Sequence, residues 1–236
     1  MSQSEFDNYS SAYRESLKDP ICNTFAGSSE FFHLRKRDLI RAYFRKHGVD
    51  SKPLRYLDVG CGQGDLASLL VKDFSRVAGC DPSGEMLKSA QNLEIRVQDD
   101  PGKIPFESGQ FDFATAVCVY HHVPPSERLA LTAEVVRVLR PGGVFAIIEH
   151  NPWNPATRII VKRCPVDENA ILLNSGEAAN LLRSTGLTIQ GREYFLYFPE
   201  KLYNAIGALE GMFSRLPLGG QYAVFGRLER ERLAIE

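Results

Sequence analysis

Glycines occupy every second position after an aspartate in the segment 56–65, which reads YLDVGCGQGD. Asp58 precedes Gly60, Gly62 and Gly64, and a helical pattern of leucines follows at once. Glycine lets the backbone adopt positive φ and approach a ligand with no Cβ in the way. The G-x-G-x-G spacing differs from the G-x-G-x-x-G of dinucleotide sites. Because a carboxylate repels a pyrophosphate, Asp58 favours a ligand that carries an ammonium and a sulfonium group.

Four further motifs follow this segment in a fixed order. They are RVAGCDPS at 76–83, VQDDPGKIPF at 97–106, GQFDF at 109–113 and LRPGG at 139–143. Together with the glycine segment they extend over roughly residues 56–151. In this order they resemble the motifs of the class I S-adenosylmethionine-dependent methyltransferases. A lone G-x-G-x-G would be a weak signal, whereas the ordered set is specific.

The resemblance implies S-adenosylmethionine as the cofactor and suggests roles for particular residues. In the family, an acidic residue at the end of the second strand binds the ribose hydroxyls, and Asp81, 23 positions after Asp58, matches it. A carboxylate can accept both hydroxyl protons of a diol. Asp100 matches the family residue that receives the adenine amine. The cofactor-binding set that we expect is Asp58, Gly60, Cys61, Gly62, Gly64, Asp81, Pro82, Met86, Asp99, Asp100, Val117 and Tyr13.

The elements that must position these residues follow an α/β pattern. The resemblance implies a Rossmann-like fold, with a seven-stranded, mostly parallel sheet and helices on both faces. Apolar runs predict five strands, at 54–59, 76–80, 95–98, 113–119 and 144–149. Helices are predicted at 126–139, 175–186 and 199–216, strand six from 187 and a last strand at 222–228. In the family, that last strand is inserted antiparallel between strands five and six.

Histidines follow the predicted strands four and five, where open α/β sheets bind their ligands. His121 and His122 lie in YHHVPP at 120–125, and His150 lies in EHNPWNP at 149–155. Histidine can accept a proton near neutral pH from a hydroxyl or amine that attacks a methyl group. His122 is the leading candidate for this catalytic role, His150 the competitor and His121 the third, and a purely structural role stays open for each. A His/His/Glu metal site with Glu149 would need convergence that spacing does not establish, so we expect no metal.

Two segments outside the motifs are candidates for closing the site. We expect residues 1–53 to form a helical lid or cap, with Tyr13 as the preferred lid residue, and residues 54–236 to form the core. The connection 151–174 is long for a link between a strand and a helix, and we interpret it as a substrate lid.

Two further patterns have plainer interpretations. The predicted helix between 28 and 48 carries six basic residues, which we interpret as a solvated face. The aromatic stretch 194–199 and the apolar stripe that follows it are interpreted as a buried strand and a core-facing helix. A lipophilic acceptor pocket and a dimer interface stay open as alternatives for this region.

The amino-acid composition limits the class of protein, its compartment and its partners. The chain has 236 residues, 44% hydrophobic residues, a formal net charge of −1 and five cysteines without C-x-x-C spacing. These values predict a globular protein with reduced thiols in the cytoplasm, with no attraction to nucleic acid and no stable membrane insertion. We expect a monomer or homodimer.

The expected activity is methyl transfer from S-adenosylmethionine to an oxygen or nitrogen of a small organic acceptor, aromatic or lipophilic. Three alternatives stay open. The acceptor could be a macromolecule or lipid-linked, the chain could be a non-catalytic S-adenosylmethionine-binding protein, or it could use NAD, which the glycine spacing disfavours.

Overall fold

A computed structural model describes residues 25–90, 93–100 and 102–229 of the chain. Within these ranges the helices are α1 (Ser29–Lys46), α2 (Asp65–Leu70), α3 (Gly84–Leu87), α4 (Arg128–Val138), α5 (Pro155–Arg163), α6 (Ser175–Ser184), α7 (Glu200–Ile206) and α8 (Glu210–Phe213). The strands are β1 (Arg55–Val59), β2 (Arg76–Asp81), β3 (Glu94–Val97), β4 (Phe111–Val117), β5 (Leu139–His150), β6 (Leu187–Phe195) and β7 (Gln221–Leu228). Short 3-10 turns cover Pro165–Asp167 and Gly207–Leu209.

The seven strands form one sheet in the order β3-β2-β1-β4-β5-β7-β6. β1, β2, β3, β4 and β5 pair in parallel, whereas β7 is antiparallel to both β5 and β6. The predicted Rossmann-like fold, with its last strand inserted between five and six, is therefore confirmed. Parallel pairing brings the carboxyl ends of β1, β2, β4 and β5 to the same edge of the sheet.

Each face of the sheet carries its own apolar core. One core contains residues of α4 and α6, such as Val135 and Leu182, which are fully buried. The other contains α1 residues, and the Tyr43 ring stacks on Phe225 with 4.2 Å between ring centroids. β4 is buried over nearly its whole length and β5 over residues 143–149, because both faces are covered there.

The interpretation of the basic residues of α1 as a solvated face is wrong for two of them. Arg35 and Lys36 are 8% and 6% exposed. The Arg35 guanidinium forms an ion pair with the buried Glu210 carboxylate and lies 3.7 Å from the centre of the Tyr203 ring. Partners from α7 and α8 stabilise the buried Arg35 cation, and the Lys36 ammonium lies 3.9 Å from the Cys118 sulfur. All these partners are distant in the chain, so the helical periodicity of α1 does not reveal them.

The predicted helix 199–216 is also wrong as a continuous, core-facing helix. The structure divides it into α7, a 3-10 turn and α8. Gly207 and Gly211 lie in this segment, and glycine has a low helix propensity. Its apolar stripe is largely exposed, with Leu202 at 44% and Leu209 at 48%.

Two other predictions need smaller corrections. The segment predicted as the turn before strand five is assigned to β5 itself, which begins at Leu139, and the β4–β5 register shifts between Phe111 and Phe113. The long connection 151–174 is not irregular, because it contains α5 and the 3-10 turn Pro165–Asp167. Within the described ranges, no helix is long and apolar enough to cross a membrane.

Candidate functional site

The glycine loop between β1 and α2 contains three glycines in the left-handed region, with φ of 68° at Gly60, 53° at Gly62 and 76° at Gly64. A Cβ on Gly60 would lie 2.4 Å from Val119 Cγ2. A Cβ on Gly64 would lie 2.9 Å from Ala90 Cβ, so both glycines are needed for packing within the protein. A Cβ on Gly62 would meet nothing within 4 Å. Gly62 is therefore the glycine that leaves room for a ligand beside the backbone.

Asp81, the last residue of β2, holds the loop in place. Its carboxylate accepts hydrogen bonds of 2.8 Å from the backbone N–H groups of both Gly62 and Ser83. The Ser83 hydroxyl in turn accepts from the Met86 N–H and caps α3. Pro82 lies between these two residues, so the segment 81–86 and the glycine loop form one connected unit.

Asp58, near the end of β1, is 3% exposed and accepts a hydrogen bond of 2.9 Å from the Thr115 hydroxyl. Burial raises the pKa of Asp58 to about 6, although hydrogen bonds from Thr115 and Tyr56 and the charge of Lys36 oppose the rise. Lys36 was not among the predicted site residues. Its signal in the sequence, a cation on the apolar side of α1, is weak without the tertiary contacts.

The other predicted cofactor residues lie around this unit with varied exposure. Asp99 and Asp100 are exposed beyond β3, and the Asp100 carboxylate accepts from the Gly102 N–H at 2.8 Å. Val117 ends β4 and is half-buried. Met86 is 2% exposed and belongs to the core around α3.

Cys61 has a packing role that its motif position did not reveal, because a Cβ on Gly79 would lie 2.7 Å from its sulfur. Tyr13 lies outside the described residues. The space at Gly62 and the carboxylates of Asp58 and Asp81 at one sheet edge fit a ligand that offers hydroxyl and ammonium donors.

The three predicted histidines come together at the carboxyl ends of β4 and β5. The rings of His121 and His122 have centroids 4.1 Å apart, and those of His121 and His150 are 5.2 Å apart. Asp167, from the 3-10 turn in the long connection, lies against them. Its Oδ1 is 3.2 Å from His121 Nε2 and 3.4 Å from His122 Nε2. The sequence analysis missed Asp167 because it is 46 positions from His121.

Glu149 orients the central histidine of this cluster. It is fully buried, and its Oε2 is 2.7 Å from His121 Nδ1 while its Oε1 accepts from the Tyr120 N–H at 2.7 Å. His121 itself is 2% exposed. Because it is enclosed between two carboxylates, His121 is placed to orient its neighbours rather than to meet an acceptor.

The three histidines differ in the direction in which their pKa values are shifted. Burial disfavours the charged form of His121, but the carboxylates of Glu149 and Asp167 outweigh it and raise the pKa of His121. Burial and the neighbouring His121 lower the pKa of His122 to about 4. The same two causes lower the pKa of His150 to about 4. His122 and His150 are therefore neutral at neutral pH.

Cys118 connects the two halves of the site. It has a positive φ of 56°, which is uncommon for a residue with a Cβ. Lys36 Nζ lies 3.9 Å from its sulfur, and the Lys36 charge lowers the pKa of both Asp58 and His150. The glycine loop and the histidine cluster therefore share one electrostatic environment at the same edge of the sheet.

A groove of about 970 Å³ opens beside the histidine cluster. It is lined by α5 and the segment that follows it, including Arg158, Cys164 and Asp167. Asp167 thus faces both the groove and the histidines. The interpretation of 151–174 as a substrate lid stays a prediction.

Comparisons with known proteins agree with this geometry. Residues 57–147 match the family described as Methyltransferase domain. The 2-methyl-6-phytyl-1,4-hydroquinone methyltransferase of Synechocystis is 27% identical over 169 residues, which are 63% of this chain and 52% of the relative. The demethylmenaquinone methyltransferase of Lactococcus lactis is 30% identical over 147 residues, 57% of each chain. The chain spans about half the length of these two curated relatives.

Among solved structures, a methyltransferase from Thermotoga maritima superposes with a TM-score of 0.67 at 17% identity, covering 95% of this chain and 98% of the other. At that identity the match shows the fold alone. The domain match and the curated relatives identify a methyltransferase domain at residues 57–147 with S-adenosylmethionine as its cofactor.

Proposed function

We propose that this class I S-adenosylmethionine-dependent methyltransferase methylates an oxygen or nitrogen of a small, lipophilic aromatic acceptor. The observation that carries the proposal is a neutral, partly exposed histidine, His122, beside the carboxyl end of β4. It lies at the same sheet edge as Asp58 and Asp81, which fit the cofactor. The names of the curated relatives, a hydroquinone and a menaquinone methyltransferase, support an acceptor of this class.

The cofactor supplies a methyl group on a positively charged sulfur, which needs no metal or base to become reactive. In the proposal, the open space at Gly62 accommodates the cofactor beside the backbone. Asp81 accepts hydrogen bonds from the ribose hydroxyls, and Asp58 faces the ammonium group. Asp99 and Asp100 lie on the exposed side beyond β3, where an adenine amine would be received.

His122 holds the role of general base in this proposal. Its side chain is 21% exposed, in contrast to 1% for His121. A pKa of about 4 makes His122 a weak base, so the proton of a phenol or hydroquinone passes to it more readily than that of an aliphatic alcohol. His121 and Glu149 act as positioning residues behind it.

Methylation of a ring carbon is the second candidate function. The hydroquinone in the name of one relative favours it, because a phenolate is nucleophilic at its ring carbons as well as at its oxygen. The same histidine would accept the phenolic proton in either reaction. The two candidates differ in which atom of the acceptor forms the new bond. Methylation at carbon also needs a later step, in which the methylated ring carbon loses its proton and the oxygen regains one, so that the ring is aromatic again.

An acceptor screen tests the function. Full-length protein is incubated with S-adenosylmethionine labelled with ¹³C in its methyl group and with phenols, hydroquinones, catechols and aromatic amines. The chemical shift of the transferred methyl distinguishes bonds to oxygen, nitrogen and carbon. Methyl transfer to a non-aromatic acceptor alone, or to tRNA alone, would contradict the proposal.

A pair of glycine variants tests the cofactor assignment separately. Gly62→Val and Gly48→Val both add a branched side chain at a positive φ, 53° and 62°, where no protein atom lies within 4 Å of the new Cβ. The backbone strain, roughly 1–3 kcal/mol, is therefore similar. We expect calorimetry with S-adenosylhomocysteine to show a loss of about 100-fold or more for Gly62→Val only. Equal affinity of the two variants would show that Gly62 is not beside the cofactor.

The proposal includes a cytoplasmic protein that acts as a monomer or homodimer. The four cysteines of the described ranges, Cys61, Cys80, Cys118 and Cys164, are all free. Free thiols are typical of reducing compartments. Fractionation of cells and light scattering of the purified protein test these two points.

A further inference from the structure

We propose that His121, His150 and Asp167 form a binding site for one divalent transition-metal ion, with Zn²⁺ as the best match. One ligand atom from each of the three residues lies within 4.8 Å of the other two. Two imidazoles and a carboxylate form the donor set, which is typical of Zn²⁺ and of other first-row divalent ions. Three protein ligands with an open fourth position is the arrangement of a catalytic rather than a structural metal site.

The distances fit a metal centre. Ligand atoms bound to Zn²⁺ at about 2.0–2.1 Å in a tetrahedral site lie roughly 3.3–3.4 Å from one another. His121 Nε2 and Asp167 Oδ1 are 3.2 Å apart. An ion could therefore bind between these atoms with little movement of either side chain. Only the ring nitrogen of His150 would have to move closer to these two atoms. It already lies within 4.8 Å of both.

Glu149 supplies the outer contact that metal-bound histidines usually have. A metal-ligating histidine almost always donates its other ring N–H to a carboxylate or carbonyl, which fixes the tautomer. His121 Nδ1 lies 2.7 Å from Glu149 Oε2, and the other oxygen of Glu149 accepts from the Tyr120 N–H. This arrangement leaves Nε2, which faces Asp167, as the His121 atom that would bind the ion in place of a proton.

Charge balance favours an ion in the same place. Glu149 has a fully buried side chain and that of Asp167 is 11% exposed, so two carboxylates are enclosed beside neutral or singly charged imidazoles. Two enclosed carboxylates need compensating positive charge. A divalent cation bound beside Asp167 would supply such charge. Asp167 also lines the groove beside α5, which provides a path for the ion from solvent.

The experiment measures metal binding directly, without S-adenosylmethionine or an acceptor. Full-length protein is stripped with a chelator, and Zn²⁺ and Co²⁺ are titrated by calorimetry while visible absorption follows the Co²⁺ coordination. Asp167→Asn is compared with Glu168→Gln, which removes the same charge one residue away at an exposed position. His150→Gln is the second test variant, and far-UV circular dichroism of each stripped variant checks folding.

We expect one ion per chain and tetrahedral or five-coordinate Co²⁺ bands for wild type and Glu168→Gln. Asp167→Asn and His150→Gln should each weaken binding by at least about 100-fold, more than the 10–100-fold typical of an outer contact. The proposal is overturned if wild type binds no stoichiometric ion. It is equally overturned if either folded variant binds as tightly as Glu168→Gln. If one variant does not fold, the other decides.

Discussion

The two halves of the site differ in how they are assembled. The half at β1 and β2 is built from residues close in sequence, since Gly62 and Asp81 are 19 positions apart and joined by a backbone N–H. The half at β4 and β5 is built from side chains of distant segments. Lys36 reaches Cys118 across 82 positions, and Asp167 reaches His121 across 46.

Because of this difference, the two halves should respond differently to side-chain substitutions. The first half relies on backbone conformation and hydrogen bonds to main-chain N–H groups, which any chain with the motif can form. The second half relies on buried charges that balance one another, so its chemistry depends on which side chains the tertiary fold brings together. Side-chain substitutions should therefore alter rate in the second half and affinity in the first.

The largest expected effect comes from a substitution that disrupts only the second half of the site, at β4 and β5. His122→Gln should lower kcat by about 10²–10⁴ with unchanged affinity for S-adenosylhomocysteine, because it removes the proposed base and leaves the cofactor half intact. Steady-state rates with an accepted substrate and calorimetry measure the two quantities. His47→Gln, an exposed histidine at the end of α1, is the matched control.

The pH profile sharpens that test. Because the pKa of His122 is lowered to about 4, the base is available throughout the neutral range. The wild-type rate should stay level from pH 8 down to about pH 5 and fall as the pH approaches 4. A rate that already halves near the ordinary histidine pKa of 6.5 would contradict the assignment of His122.

Asp58→Asn should separate stability from cofactor binding in the first half. The folded protein holds the Asp58 proton more tightly than the unfolded chain, since the pKa is raised from 3.8 to about 6. Ionised Asp58 therefore lowers stability above pH 6, by about 3 kcal/mol for two pKa units. The penalty shrinks as pH falls from 6 to about 4. The variant should be more stable than wild type at pH 8 and bind S-adenosylhomocysteine more weakly.

Denaturant unfolding of the cofactor-free protein at pH 8 and pH 5 measures the effect. Asp112→Asn is the contrasting variant, because Asp112 is buried but accepts hydrogen bonds from the Arg55 backbone and side chain and pairs with Arg140. Loss of the Asp112 carboxylate in this variant should destabilise the protein by roughly 1–3 kcal/mol. Destabilisation by Asp58→Asn at pH 8 would show that burial does not govern Asp58.

The smallest expected effect is that of Asp81→Asn. Asparagine keeps one acceptor oxygen but loses the charge. Hydrogen bonds to charged groups are worth about 1.5–3 kcal/mol and neutral ones about 0.5–1.5 kcal/mol, so affinity for S-adenosylhomocysteine should fall roughly 10–100-fold when the bonds to both ribose hydroxyls are weakened. Part of the loss comes from the Gly62 and Ser83 N–H groups, which both bond to the carboxylate. Asp50→Asn, at an exposed turn where the carboxylate also accepts a backbone N–H, is the control. Equal affinities would remove Asp81 from the cofactor site.

The sequence alone determined the order of the strands along the chain, the glycine loop and the acidic residues at the ends of β1 and β2. These features are local, because a tight turn and a buried strand depend on neighbouring residue types and on the period of the apolar pattern. The family resemblance added the antiparallel last strand. It also implied the cofactor, which the curated relatives support.

Only the tertiary structure decided which polar residues are enclosed. Periodicity assigns Arg35 and Lys36 to a solvated face, but both are buried against partners from other elements. Sequence spacing does not reveal that Asp167 contacts the histidines. The fold brings Asp167 against them from a connection that itself contains a helix. The physical reason is that burial and charge compensation are properties of surfaces in contact, and contacts across 46 or 82 positions leave no periodic trace in the sequence.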